Sequence, residues 1–196
     1  MGIDSLPAFL REHYQVHEWK HACVVLQQDF PLEWQDVIDV LTAFRLRKSD
    51  IAKPGGSKSG VAHVIDKALA ARGWREKKFD TKVVIDANEL VSPTHKVDCY
   101  KNHVALEIEW NNKDPFFDRD LNNFRLLFDL RAISVGIIVT RCDELQDLFD
   151  ELGRGSSYGA STTHMSKLLP RLEGGGGGGC PVLVFGISKK LYDEGV

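Results

Sequence analysis

Residues 97–110, VDCYKNHVALEIEW, carry three carboxylates: Asp98, Glu107 and Glu109. From Val104 the residues alternate in character, as along a strand. Val104, Leu106, Ile108 and Trp110 fall on one face, and Ala105, Glu107 and Glu109 on the other. Glu107 and Glu109 therefore point the same way, roughly 7 Å apart along the strand. Lys101-Asn102 is predicted to form a hairpin turn. That turn pairs Tyr100 with His103 and sets Asp98 opposite Ala105. Asp98 then lies diagonal to Glu107, within reach of a common ligand. Three carboxylates converging on one side of a sheet repel unless something positive sits between them. Hard divalent cations, Mg²⁺ above all, take such oxygen ligands. The same alternation also describes a half-solvated strand with its acids in water, so the spacing alone leaves both readings open.

The elements that must position this stretch follow from the chain in order. Residues 4–13 read as a short helix. Residues 17–29 read as a second, with Trp19, Ala22, Cys23 and Leu26 inward, and Phe30-Pro31 breaks it. Residues 32–47 read as a third, with Trp34, Val37, Ile38, Leu41 and Phe44 at helical spacing. Ser49 to Ser59, SDIAKPGGSKS, is a loop rich in Gly, Ser and Lys. It lacks the full G-x-x-x-x-G-K-[ST] pattern and follows a helix, so it is no nucleotide-triphosphate site. A basic loop reaching a DNA phosphate stays open. Residues 60–72 form a helix on the stripe Val61, Val64, Ile65, Ala68 and Leu69, with Gly73 at its stop. Residues 82–86 read as a strand, and the following ANELVS as a candidate helix.

Downstream of the acids, Pro115 lacks the N–H a strand needs, and 111–115 favours turns. A helix is predicted from Asp118, as N-cap, through Leu130, burying Leu121, Phe124, Leu127 and Phe128. Residues 133–140, ISVGIIVT, are nearly all apolar and read as a central strand covered on both faces. Residues 143–152 form an acidic amphipathic helix whose acids are assigned no metal. A polar loop at 153–163 precedes a helix at 164–172, where His164 reads as a hydrogen-bonding residue and not as a general base. The six glycines Gly174 to Gly179 read as a flexible link. Residues 181–187 form a final internal strand, and the tail 188–196 is exposed.

Bulk composition limits the function classes. With 196 residues, 43% hydrophobic and 27% charged, the chain has the makeup of one globular domain, organised as a mostly helical part at 1–59 and a core at 60–196. The net charge of −3 gives no overall basic signature. Its distribution is uneven. Residues 45–82 hold eleven Lys/Arg (Arg45, Arg47, Lys48, Lys53, Lys58, Lys67, Arg72, Arg75, Lys77, Lys78, Lys82) against four acids. Such a segment is either an anion-facing surface or a solvated helix face with loops. Cys23, Cys99, Cys142 and Cys180 lack CxxC spacing and suggest neither zinc nor a disulfide framework, which fits a reducing, cytoplasmic compartment. No signal peptide is read in the first residues, and no apolar run approaches ~20 residues, so no membrane contact is expected.

Asp98, a short gap, then VALEIE resembles the active-site strand of the BglII, BstYI and BamHI group of type II restriction endonucleases. These carry the PD-(D/E)xK nuclease core with its usual lysine replaced. The likeness continues through WNNKDPFFDRDLNNFRLLFDLRAISVGIIVT and is weaker at VAHVIDKALAARGW. It returns in the Gly/Ser/Tyr loop, the short helix and the last apolar strand, so it covers most of 60–187. The resemblance implies an α/β, restriction-endonuclease-like core: a central mixed β-sheet flanked by helices. It implies Asp98, Glu107 and the backbone carbonyl of Ile108 as metal ligands, with Mg²⁺ as cofactor and Mn²⁺ as a substitute. Glu109, in the lysine position, orients or deprotonates the attacking water or binds a second metal. The resemblance further implies a homodimer that cuts both strands of a short palindromic duplex site, with a GATC-like core, leaving 5′-phosphates. A cognate DNA methyltransferase belongs to such a system without direct contact. Base readout needs polar side chains on loops at groove edges. Asn111, Asn112 and Lys113 qualify on one loop, and Arg154, Ser156, Ser157, Thr162 and Thr163 on another. A structure-selective nuclease of the same core, a non-catalytic DNA-binding module and a globular protein with no nucleic-acid role remain the alternatives.

Overall fold

A computed structural model of the chain describes residues 2–52, 59–92 and 94–195. After a 3₁₀ turn at Ile3–Ser5, α1 (Ala8–His13) runs directly into β1 (Tyr14–Trp19). Then follow α2 (Ala22–Asp29), α3 (Pro31–Ala43), β2 (Leu46–Arg47), α4 (Lys48–Ala52) and α5 (Gly60–Ala70). The strands β3 (Arg75–Lys77), β4 (Thr81–Ile85), β5 (Asn88–Ser92), β6 (Val97–Lys101) and β7 (Val104–Ile108) come next. The chain ends through α6 (Pro115–Asp129), β8 (Val135–Arg141), α7 (Leu145–Glu151), a 3₁₀ turn at Gly155–Tyr158, α8 (Met165–Glu173), β9 (Val182–Ile187) and β10 (Tyr192–Asp193).

The main sheet has six strands in the order β1-β9-β8-β7-β6-β3. The central three, β7, β8 and β9, are parallel, and the outer pairings are antiparallel. Parallel neighbours require crossovers, and α6 supplies the one between β7 and β8. Side chains from the central strands alternate between two apolar cores. Val104, Leu106, Ile108, Ile137, Val139, Leu183 and Phe185 pack with Leu26, Leu41 and Ile65 of the helices on one face. Ala105, Ile138, Val182 and Val184 pack with Phe117, Leu121, Phe124 and Leu168 of α6 and α8 on the other. The result is the mixed sheet flanked by helices that the sequence led us to expect.

Several local expectations are corrected. Residues 14–19 are a strand, and the helix starts only at Ala22; Lys20 and His21, both at positive φ, reverse the chain between them. The stretch around Trp19 is too short for its period to decide, and pairing with β9 decides it. ANELVS is likewise a strand, folded back on β4 with Asp86 at φ 53°. The helix α6 begins at Pro115, not Asp118, because proline needs no N–H donor partner in a first turn. Val64 is exposed, off the buried stripe of α5. The tail is anchored: Leu191 is buried and β10 pairs in parallel with β2. The Gly/Ser/Lys loop falls largely on residues 53–58, outside the described residues; its flanks are α4 and Ser59, whose hydroxyl accepts the Ala62 N–H to cap α5. Gly174 to Gly179 are no slack link. They form hydrogen-bonded turns that close on Pro170, Arg171 and Leu172. They also lie against α6, where a Cβ at Gly178 would sit 2.5 Å from Arg125 Cγ.

One contact fixes the distance from sheet to α6. A Cβ at Gly136 of β8 would lie 2.4 Å from Phe124 Cδ2, so the ring rests on bare backbone. Gly136→Ala must push α6 outward or force Phe124 off its rotamer. We expect it to destabilise the fold by ~1–3 kcal/mol, measured by urea unfolding.

Candidate active site

The acidic hairpin turns at Asn102-His103, both left-handed (φ 41° and 65°), as a two-residue hairpin with two positive-φ positions requires. It pairs Lys101 with Val104, Tyr100 with Ala105 and Cys99 with Leu106. The turn is one residue later than predicted, so the register moves by two. Asn102 accepts the left-handed conformation, and Lys101 stays in the strand, where its ammonium reaches Asp36 at 2.7 Å. A shift of two keeps every side chain on its face. It places Asp98 across from Glu107 instead of Ala105. Here side chains replace the ladder. The Asp98 N–H donates to Glu107 Oε2 at 3.2 Å, and the Ile108 N–H donates to Asp98 Oδ2 at 3.1 Å.

Glu107 and Glu109 are only 1% and 2% exposed. The Glu109 N–H donates to the Val139 carbonyl at 2.8 Å, which carries the strand direction one residue past β7. A fourth acid, Asp120, comes from α6 and is 1% exposed. Arg119 bridges the two elements: its Nη2 lies 2.7 Å from Asp120 Oδ1 and 3.2 Å from Glu109 Oε1. Asn112 Nδ2 donates to Glu109 Oε2 at 2.6 Å. The sequence reading missed Asp120 and Arg119. A signal existed: Phe117, Asp120, Leu121 and Phe124 share helical spacing, so Asp120 occupies a core position of the helix that follows the acidic strand.

The electrostatics follow from this packing. Burial, then the charges of Asp120 and Asp98, hold the Glu107 carboxyl well above the ordinary range; the Asp98 N–H pulls the other way. Burial pushes Glu109 up to about 9, helped by the neighbouring Asp120 carboxyl and opposed by Asn112 and Arg119. Asp120 is raised by burial, with contacts to Glu109 and Arg119 opposing. Burial pulls Arg119 down, and the acids around it more than reverse that.

The donor set suits a hard divalent cation. All its ligating atoms are oxygens, and Glu107 Oε1 is buried with no hydrogen-bond partner among the described residues. Asp98, Glu107 and the Ile108 carbonyl are the groups that could hold it. Among the described residues no three His, Cys, Asp or Glu side chains stand as a ready-made ligand group. Glu107 spends Oε2 on the Asp98 N–H, and Asp98 spends Oδ2 on the Ile108 N–H.

Both loops singled out from the sequence meet beside Glu109. Asn111 Nδ2 donates to the Ser157 carbonyl at 3.0 Å, and Lys113 bridges to Thr162. The Asn112 N–H donates to Thr163 Oγ1 at 3.3 Å, and its carbonyl accepts the Thr163 N–H at 2.9 Å. Lys113, Ser156 and Ser157 are exposed, and Arg154 is half-buried. Thr162 and Thr163 are buried and hold the loop from inside. Arg141 Nη2, itself buried, donates to Thr162 Oγ1 and to the Tyr158 carbonyl. Trp110, at the end of the acidic strand, donates to Tyr158 Oη at 3.4 Å. His164 is tied to Asp143 at 2.7 Å and to Ser166, in keeping with a hydrogen-bonding role at the helix start.

A mixed sheet with acids on adjacent strands, closed by a crossover helix, is the architecture of the restriction-endonuclease-like fold. The family model described as restriction endonuclease BglII/BglIII matches residues 14–187, and the chain belongs to that family. It is therefore a type II site-specific deoxyribonuclease by class, in a family that binds DNA and uses divalent metal ions. No curated protein sequence matches the chain. No helix among the described residues is long and apolar enough to cross a membrane.

The raised carboxyls make stability depend on pH. Between the ordinary value of 4.5 and about 9, the folded chain keeps on Glu109 a proton that the unfolded chain releases. The native state binds more protons there, so stability falls as pH rises through that window. In chelator, the melting temperature should drop by several degrees from about pH 5 to about pH 9, and Glu109→Gln should flatten the slope. An equal slope in both proteins would contradict the assignment.

Proposed function

We propose that the chain cuts both strands of duplex DNA at a short palindromic site in a Mg²⁺-dependent hydrolysis, leaving 5′-phosphates. The observation that carries this reading is Glu107 Oε1, buried with no hydrogen-bond partner among the described residues, on a carboxyl whose Oε2 accepts the Asp98 N–H. Asp98, Glu107 and the Ile108 carbonyl hold Mg²⁺, or Mn²⁺ in its place. The chemistry that bound Mg²⁺ supplies is charge: a polarised phosphoryl oxygen, a more acidic water and a stabilised leaving alkoxide. Glu109 orients the attacking water and takes its proton. Glu109 serves as that base once the charge of the bound cation has driven off the proton it keeps in the metal-free chain, and Asn112 fixes its orientation at 2.6 Å.

The DNA-facing surface is built from the same loops. Lys113, Ser156 and Ser157 are exposed polar side chains, with Asn111, Asn112 and Arg154 beside them. Thr162 and Thr163 serve readout by holding this loop in place. The exposed cations Lys67, Arg72, Arg75 and Lys78, in or just after α5 and β3, suit backbone phosphates. A homodimer would match a palindrome with a GATC-like core, and the enzyme would work in the cytoplasm alongside a methyltransferase of the same specificity that it does not touch.

Long duplex DNA digested with Mg²⁺ by wild type and Glu107→Ala tests this, with the fragment ends sequenced. Discrete fragments sharing one palindrome, lost by at least ~10²-fold in the variant, are expected. Digestion with no common sequence would favour a structure-selective nuclease. Duplex binding without cutting, over a range of metals and salt, would overturn the catalytic assignment.

A further inference from the structure

Arg119 has a role that the hydrolysis described above leaves unassigned. Its guanidinium touches two of the most buried acids in the molecule, through Nε and Nη2 on Asp120 Oδ1 and through Nη2 on Glu109 Oε1. Those acids are 1% and 2% exposed, whereas the Arg119 side chain is 29% exposed. It stands at the mouth of the site, with one edge on the carboxylates and the other toward solvent. Its guanidinium carbon lies 4.2 Å from the centre of the half-open Phe116 ring, which supports it from α6 without closing over it.

The site asks for such a group twice. Without a divalent cation, the acid cluster needs a positive partner, and Arg119 is paired with two of its members. With a phosphodiester present, the anionic substrate must approach Glu109 and Glu107, and the lysine that would face it in the wider nuclease class is replaced here by Glu109. A guanidinium matches a phosphate with two parallel N–H donors. Arg119 lies on the first turns of a helix packed against Gly136, which keeps its guanidinium beside Glu109.

We propose that Arg119 is a phosphate-binding catalytic residue, held on Glu109 and Asp120 as their counter-ion until a divalent cation takes over that charge. The proposal rests on the nuclease reading for its second half. Its first half concerns the protein without DNA.

The test compares wild type, Arg119→Ala and Arg119→Lys. Calorimetric titration with Ca²⁺, in the absence of DNA, reads the counter-ion role. Arg119→Ala is expected to bind Ca²⁺ roughly tenfold tighter, because a competing positive charge is gone. Single-turnover cleavage with Mg²⁺ should fall ~10²-fold, with duplex affinity in Ca²⁺ changed less than ~3-fold. Millimolar guanidinium ion should restore part of the rate, which a purely structural role would not allow. Ca²⁺ affinity unchanged or weakened in an Arg119→Ala protein of normal melting temperature overturns the proposal. So does cleavage at the wild-type rate. If Arg119→Ala does not fold, Arg119→Lys carries the test: it keeps the charge and loses the fork, so cleavage should fall at least ~10-fold with duplex affinity kept, and an unchanged rate overturns the proposal. A wild type that cuts no duplex, with the gain in Ca²⁺ affinity intact, would sink the nuclease reading while supporting the counter-ion role.

Discussion

Carboxylates packed together out of water repel one another and lose their hydration, and the rest of this structure is arranged to hold them together regardless. Asp98, Glu107, Glu109 and Asp120 come from three elements, two strands and a helix. None of those elements would gather acids for its own stability. What keeps them in place is apolar. The outward face of β7 is locked into one core by Val104, Leu106 and Ile108, so Glu107 and Glu109 have no way to turn to solvent without dismantling the sheet. Asp120 is fixed in the same manner between Phe117 and Phe124. The repulsion is relieved locally, by protons retained on the carboxyls, by Arg119 and by backbone N–H groups. A site built this way is preorganised for an incoming positive charge.

The same geometry joins the acidic strand to the 153–163 loop through very few atoms. Asn112 holds the Glu109 carboxylate with its side chain and the 153–163 loop with its main chain. Trp110, two residues earlier on the strand, anchors Tyr158 of that loop, which stacks on Phe149 with ring centres 4.0 Å apart. Arg141 closes the arrangement from β8. The 153–163 loop is therefore an extension of the sheet that carries the acids, and not a separate appendage.

The parts of the fold legible in the sequence are those where one physical period dominates. The alternation from Val104 to Trp110 and the nearly all-apolar run at 133–140 assign β7 and β8 correctly, because burial on one or both faces leaves a plain pattern. The acids were legible as a group, but not their register: Lys101-Asn102 and Asn102-His103 are both plausible turns, and the choice rests on Lys101 reaching Asp36, far away in sequence. β1 was hidden because its six residues acquire meaning only when β9 lies beside them. The glycine run looked like slack because glycine promises freedom; the closeness of Leu121, Arg125 and Phe128, which makes glycine necessary, is invisible in one dimension. Asp120 was overlooked since a charge on an amphipathic helix is ordinarily solvated, and only its place in the apolar stripe argued otherwise.

The position of β9 in the sheet has a consequence for how the protein comes into being. β9 lies between β8 and β1, and it is the last strand of the main sheet to be synthesised. β1, made near the beginning, waits unpaired for most of the chain's synthesis, while the hairpin β6–β7 needs only its neighbours to form. The sheet closes when β9 inserts and the final residues tie β10 to β2. Contacts that span nearly the whole chain are slow to form, because loop closure precedes their reward. An emerging chain can thus carry its acids in a formed hairpin yet lack the completed sheet that aligns them with the 153–163 loop. Alignment of the acids with that loop therefore waits on β9, although the residues of both precede it in the chain.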